Sequence, residues 1–231
     1  MNQEIYKKNF NHLSGYDGIN LPTETVDGKR YYVTPSGNRY PSVTSVTGIL
    51  NKVWIQKWRK AVGEKKANKI SRQAASRGTR YHQLQEDYVN NILTQEMIDK
   101  ALPLDLMMFN QTKEITNRLG DVYMLEKSMY SDELQMAGRV DCIAKFDDKL
   151  SVVDFKTSTK KKTPSKIKNY FMQESAYAKM FEEHYNEKIE QIVTIVAVEE
   201  TGQAQLFVEK AENWLEELKV LRDHYRAEYN M

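Results

Sequence analysis

Near residue 120 the spacing of apolar side chains changes from three or four to two, and few folds accommodate that change within 231 residues. Before it, Ser and Thr offer N-caps from Thr44 onward, and Ile49, Leu50, Val53 and Trp54 recur at helical spacing in a pattern that continues to about Asn91. A break is expected near Arg77-Gly78, starting a second helix through Tyr81, Leu84, Tyr88 and Leu93; a third spans Leu102 to Leu119, entered at Pro103. Ahead of these, residues 30–46 place two β-prone runs around Pro35-Ser36-Gly37-Asn38, which predicts a hairpin. Beyond the change, 121–130, 136–146 and 149–156 read as an antiparallel meander, its last two strands joined by a tight turn at Asp147-Asp148. Residues 166–186 return to helix, 190–199 form an apolar strand, Thr201-Gly202 turns into AQLFVE, and 211–229 make a closing amphipathic helix. This order predicts an α/β core carrying an N-terminal helical elaboration.

Composition narrows the function classes. Lys and Arg total 34 against 32 Asp and Glu, for a formal charge of +2, so totals alone point to no partner. Cys142 is the only cysteine, which excludes an internal disulfide, a Cys-based zinc site and a four-cysteine iron–sulfur cluster built from this chain, and leads us to expect a reducing, intracellular, cytoplasmic setting. The opening MNQEIYKKNFNHLSGYD carries charge where a signal peptide needs an apolar run, and no stretch approaches the roughly 20 apolar residues of a membrane span. A soluble, unexported protein without a membrane role is expected. No GxxxxGK[ST], GxSxG or GxGxxG pattern occurs, so no nucleotide cofactor is expected.

The chemistry concentrates at Val152-Val153-Asp154-Phe155-Lys156. Strand alternation puts Asp154 and Lys156 on one face and Phe155 on the other. The preceding strand holds Gly138-Arg139-Val140-Asp141, and hairpin pairing lets Asp141 approach Asp154 at the end of the sheet. Two carboxylates converging beside a lysine call for a cation; hard Mg²⁺ or Mn²⁺ suits them, with waters and phosphate oxygens completing its shell. Lys156 could orient or help deprotonate a water, so metal-assisted phosphodiester hydrolysis is the reaction class. Gln173 and Tyr177 stand one turn apart on the following helix and share a face with Tyr170.

The ordered set Gly78-Thr79-x-x-His82, Gly138-Arg139-Val140-Asp141, Val153-Asp154-Phe155-Lys156-Thr157 and Gln173-x-x-x-Tyr177 resembles the RecB-like branch of the PD-(D/E)XK nucleases. The resemblance spans roughly residues 30 to 230 and implies a restriction-endonuclease-like core: a central mixed sheet flanked by helices. On it, residues 1–231 form one nuclease domain, with a hairpin and helical arch or clamp to about 120 and the catalytic core from 121. It implies that His82, Asp141, Asp154 and the Phe155 backbone carbonyl bind one or two metal ions, that Lys156 is catalytic, and that Gln173 and Tyr177 support the site and contact DNA. Two acids are left open: Glu86 either salt-bridges on its helix or joins the metal set, and Glu126 assists a second metal or the scissile phosphate. His12, His184 and His224 are expected to be structural or exposed.

Residues 51–80 hold ten Lys or Arg against one acid, Glu64, with Trp54, Trp58 and Tyr81 in or beside the stretch, and 156–168 hold six lysines and no acid. Basic side chains neutralise phosphates and aromatics stack unpaired bases. Trp54, Trp58, Arg77, Arg80, Thr157, Lys160, Lys161 and Lys162 are therefore DNA-contact candidates, as are Ser42, Thr44 and Ser45 through hydroxyls or amides; packing or capping is the competing reading, most evenly for Trp54. Acids gather in 182–190 and from Glu209, so the near-zero total hides two segregated surfaces. The expected function is a Mg²⁺- or Mn²⁺-dependent exonuclease on single-stranded DNA, releasing 5′-phosphorylated product and serving replication, recombination or repair in a bacteriophage or bacterium alongside proteins of those processes. The alternatives are a structure-specific or single-strand endonuclease on the same core, or an inactive DNA-binding recombination factor.

Overall fold

The computed structural model describes residues 8–229. A small antiparallel sheet comes first, of β1 (Thr23–Val26), β2 (Lys29–Val33) and β3 (Arg39–Pro41) in that order. β2 and β3 are the expected hairpin, in register at Tyr32–Tyr40, and Gly37 at φ 84° takes the left-handed turn position. β1 was not anticipated: its four residues, TETV, are all exposed and carry no alternation.

The helices differ from expectation in one informative way. After α1 (Val43–Thr47), capped by Ser42 Oγ accepting the Ser45 N–H at 3.0 Å, and a short 3-10 turn (Gly48–Asn51), α2 spans Lys52–Val62 and α3 runs unbroken over Glu64–Val89. The break expected at Arg77-Gly78 lies instead at Gly63, whose φ 83° and ψ 144° are open to glycine almost alone. Gly78 sits inside the helix. α4 (Gln95–Lys100), six residues capped by Thr94, was not anticipated; α5 (Pro103–Thr116) begins at Pro103 as expected. A buried network in which Tyr81 and Gln85 donate to Thr112, and Thr116 donates to Gln85, ties α3 to α5.

The second half follows the sequence closely: β4 (Leu119–Ser131), β5 (Met136–Phe146), β6 (Lys149–Ser158), α6 (Lys168–Tyr185), β7 (Gln191–Val198), β8 (Gln205–Lys210) and α7 (Glu212–Glu228). The five strands lie in the order β4-β5-β6-β7-β8, antiparallel except for β6–β7, which are parallel because α6 crosses between them. Helices cover both faces of this mixed sheet. On one, Tyr88, Met108 and Phe109 of α3 and α5 pack against Val153, Phe155 and Ile195. On the other, Phe171, Phe181, Leu218 and Tyr225 of α6 and α7 join Val43 and Val46 against Ile143, Val152 and Ile192. His12 and His184 bond the carbonyls of Val89 and Tyr130 at 2.8 and 2.7 Å, and His224 is exposed. No described helix is long and apolar enough to cross a membrane.

Candidate active site

The site arises where two strands part. The β5–β6 ladder runs from Phe146–Lys149 to Cys142–Val153 and stops, so Asp141 and Asp154 occupy the next positions and do not pair with each other. From there β5 continues beside β4 as far as Met136, and β6 continues beside β7 as far as Ser158. Asp141 Oδ2 accepts the Phe155 N–H at 3.0 Å, replacing the lost ladder bond and fixing its carboxylate in the fork.

α3 brings His82 over the fork. Gly78, one turn earlier, is close enough to β6 that an added methyl would lie 3.9 Å from Thr157 Oγ1, so helix and strand approach with only van der Waals clearance. His82 Nδ1 lies 3.4 Å from Asp141 Oδ2. Ligand atoms of His82, Glu126 and Asp141 all fall within 4.8 Å of one another. Glu126 sits on β4 at φ 51°, a left-handed conformation uncommon for a non-glycine residue and frequent at functional positions. Glu86 is half-buried nearby, outside that threesome. Asp154 is deeper, 1% exposed, bonded by Gln173 Nε2 at 3.3 Å and ion-paired with Lys156.

The electrostatics follow from burial and crowding. Burial, with the Asp141 charge adding to it, pushes Glu126 up to about 7 against the opposing pull of Arg139. Burial likewise pushes Asp154 up to about 7, with Lys156 pulling down and Asp141 pushing up. Burial opposes charge on Lys156, but Asp154 and Asp141 overcome it and hold the ammonium above the usual lysine range. His82 is lowered, mainly by burial, and so is neutral at pH 7. A neutral imidazole and two crowded carboxylates form a donor set that fits a divalent ion.

A cavity of about 380 Å³ opens beside the fork, lined by Asp141, Lys156, Gln173 and Tyr177 together with Ser42 and Thr44 from the first half. Trp54 is 64% exposed and stacks on Trp58 with centroids 6.1 Å apart and planes at 4°, so of its two readings the buried one fails. Tyr81 is fully buried and donates to Thr112, which removes it from any stacking track. Arg77 is ion-paired with Glu199, and Arg80 with the buried Asp105, so both guanidinium groups have internal partners. Lys160 and Lys161 are exposed; Thr157 and Lys162 are half-buried; Ser42 is buried as a cap, Ser45 half-buried and Thr44 exposed.

Four residues beside the site were given no role by sequence reasoning. Arg139 is ion-paired with Glu126. It lies two residues from Asp141, and the alternation that placed Asp154 with Lys156 would have placed it too. Glu174, fully buried and accepting from Thr194, is raised well above the carboxylate range by burial and by Asp154. An acid inside the otherwise uncharged, buried run 171–178 was its only signal. Arg30 and Tyr32 line the cavity and carried no sequence signal at all.

A forked mixed sheet with an Asp-x-Lys strand, a second aspartate opposite and a helix-borne histidine defines a nuclease: residues 51–230 match the PD-(D/E)XK nuclease superfamily, and the chain belongs to it. Among characterised proteins it is similar to mitochondrial genome maintenance exonuclease 1 of Xenopus tropicalis, 27% identical over 171 residues, which cover 67% of this chain and 48% of that protein. The match thus spans about half the length of that relative.

Proposed function

We propose that the protein is a divalent-metal-dependent deoxyribonuclease that shortens single-stranded DNA from an end, releasing 5′-phosphorylated product. The observation that carries this reading is the fork at Cys142–Val153, which sets Asp141 beside Asp154 and Lys156 and within reach of His82 and Glu126. His82, Glu126 and Asp141, with Asp154 and the Phe155 carbonyl behind them, would hold Mg²⁺ or Mn²⁺. Such an ion supplies Lewis-acid polarisation of a phosphoryl oxygen and lowers the pKa of water. Lys156, a cation at rest, is suited to orienting the attacking water and stabilising negative charge on the phosphoryl oxygens rather than to accepting a proton. Gln173 holds Asp154, and Tyr177 shapes the cavity floor.

Single-strand preference is supported by the exposed Trp54, stacked on the half-buried Trp58, and by the basic residues of α2 and α3, which together suit an unpaired strand. Thr157 near the end of β6, and Lys160, Lys161 and Lys162 just beyond it, would contact phosphate, as would the Ser42-x-Thr44-Ser45 segment. In this reading the chain works as one nuclease domain, its first 120 residues acting as the clamp. A role in DNA replication, recombination or repair in a phage or bacterium fits that activity, and the relative's designation as an exonuclease favours end-directed cleavage.

A time course on end-labelled linear single strands, circular single strands and blunt duplex, in Mg²⁺, Mn²⁺ or EDTA, tests it. Metal-dependent loss of the linear strand alone is expected, and Asp154→Ala or Lys156→Ala should lower the rate by roughly 10²–10⁴-fold while DNA binding persists. Cutting of the circle would make it an endonuclease, and inactivity of the unaltered protein on every substrate would leave a DNA-binding factor.

A further inference from the structure

One wall of the cavity beside the fork lies outside the superfamily match. That match begins at residue 51, yet Arg30 and Tyr32 of β2 line the same cavity as Asp141 and Lys156. The small N-terminal sheet is held there by the backbone: the Ser42 N–H donates to the Arg30 carbonyl at 3.0 Å, and Ser42 bridges to Ala137 on β5, next to Gly138. The position of Arg30 is therefore set by paired strands rather than by a loop.

Charge in the cavity is unbalanced in an informative way. Its lining has three cations, Arg30, Arg139 and Lys156, and one acid, Asp141. Lys156 is committed to Asp154, and Arg139 to Glu126. Among the described residues Arg30 alone of the three forms no ion pair, and its cross-strand neighbour is the uncharged Thr25. Asn169, half-buried on the opposite wall, adds an amide without charge. A free guanidinium facing a polar cavity matches the planar, two-oxygen edge of a phosphate. At about 380 Å³ the cavity is near the lower end of the roughly 300–1,000 Å³ typical of small-ligand sites, enough for about one nucleotide unit.

We propose that Arg30 binds the phosphate adjacent to the scissile one, so that the N-terminal sheet is a substrate-gripping element added to the nuclease core. This rests on the nuclease reading above. It assigns Arg30 a positioning role: holding the neighbouring phosphate fixes the scissile linkage against Asp141 and Lys156.

The test uses the full chain, the variants Arg30→Gln and Arg30→Lys, and single-stranded oligonucleotides in which one neutral methylphosphonate replaces the phosphate on either side of the first linkage cleaved. Arg30→Gln should lower kcat/KM about tenfold, the size expected of one charge-assisted contact, and Arg30→Lys should lose less. At one of the two positions the methylphosphonate should cost the unaltered protein a similar factor and cost Arg30→Gln little more. Because Arg30 is exposed, Tm should not change. Full kcat/KM in Arg30→Gln, or an undiminished methylphosphonate penalty in that variant at both positions, would overturn the proposal. The same comparison read as Kd in EDTA separates the two claims: absence of cleavage by the unaltered protein refutes the nuclease reading, while the subsite stands or falls on whether the binding penalties of substitution and methylphosphonate overlap.

Discussion

A methyl group on Gly138 would stand 2.7 Å from the Tyr177 hydroxyl and 2.8 Å from its ring, closer than packed atoms tolerate. Tyr177 is 2% exposed and cannot swing aside freely, so Gly138→Ala should displace it from the cavity floor. The expected outcome is a stability loss of about 1–3 kcal/mol by denaturant melt and a larger proportional loss of nuclease rate. Glu126 carries the second prediction at this scale. Its carboxyl keeps its proton to about 7 in the folded chain against 4.5 for an ordinary glutamate, so between those values the folded state holds the extra proton. Metal-free protein should therefore lose stability as pH rises from about 5 to 7.5, by up to about 3 kcal/mol, with Asp154 acting in the same direction. Tm in EDTA across that range checks this, and Mg²⁺ or Mn²⁺ at pH 7.5 should restore much of the loss. A Tm that climbs with pH would contradict it.

The long helix is the element whose reading most needed the structure. The sequence reading placed the break at Arg77-Gly78, whereas the chain turns at Gly63, and local sequence does not rank the two glycines. The ranking comes from what surrounds them. Gly63 turns the chain in open space between α2 and α3, while Gly78 lies within α3, where an added methyl would meet Thr157 only at ordinary van der Waals distance. Opposite outcomes follow for one substitution. Gly63→Ala forces an L residue to φ 83° and should cost about 1–3 kcal/mol, whereas Gly78→Ala meets nothing nearer than 3.9 Å and should gain about 0.5–1 kcal/mol from helix propensity. Thermal melts of the pair would settle the assignment. By contrast, the β-strands of the second half were legible almost to the residue, because apolar alternation and tight turns are local signals.

For the molecule as a whole, a charge of +2 conceals an uneven surface. α2 has no buried residue and presents Trp54 and Trp58 beside basic side chains. If this face grips single strands, Trp54→Ala should weaken single-strand binding by about 1–3 kcal/mol in fluorescence anisotropy and leave Tm unchanged. The logarithm of affinity should fall linearly with the logarithm of salt, by roughly 0.7 for each phosphate contacted, and a salt-independent Kd would exclude the basic face as the contact.

What the sequence by itself determined was the order of elements, the Asp-x-Lys strand with its partner aspartate, and the residue types that fit metal-assisted phosphodiester chemistry, since each is written in spacing and identity along a few residues. Tertiary structure alone decided where the β5–β6 ladder stops, that Glu126 rather than Glu86 closes on His82 and Asp141, that Arg77 and Arg80 are spent on Glu199 and Asp105, and that Arg30 reaches the cavity. Those outcomes depend on strand register, helix approach and partners up to 122 positions apart in the chain, none of which local periodicity can encode.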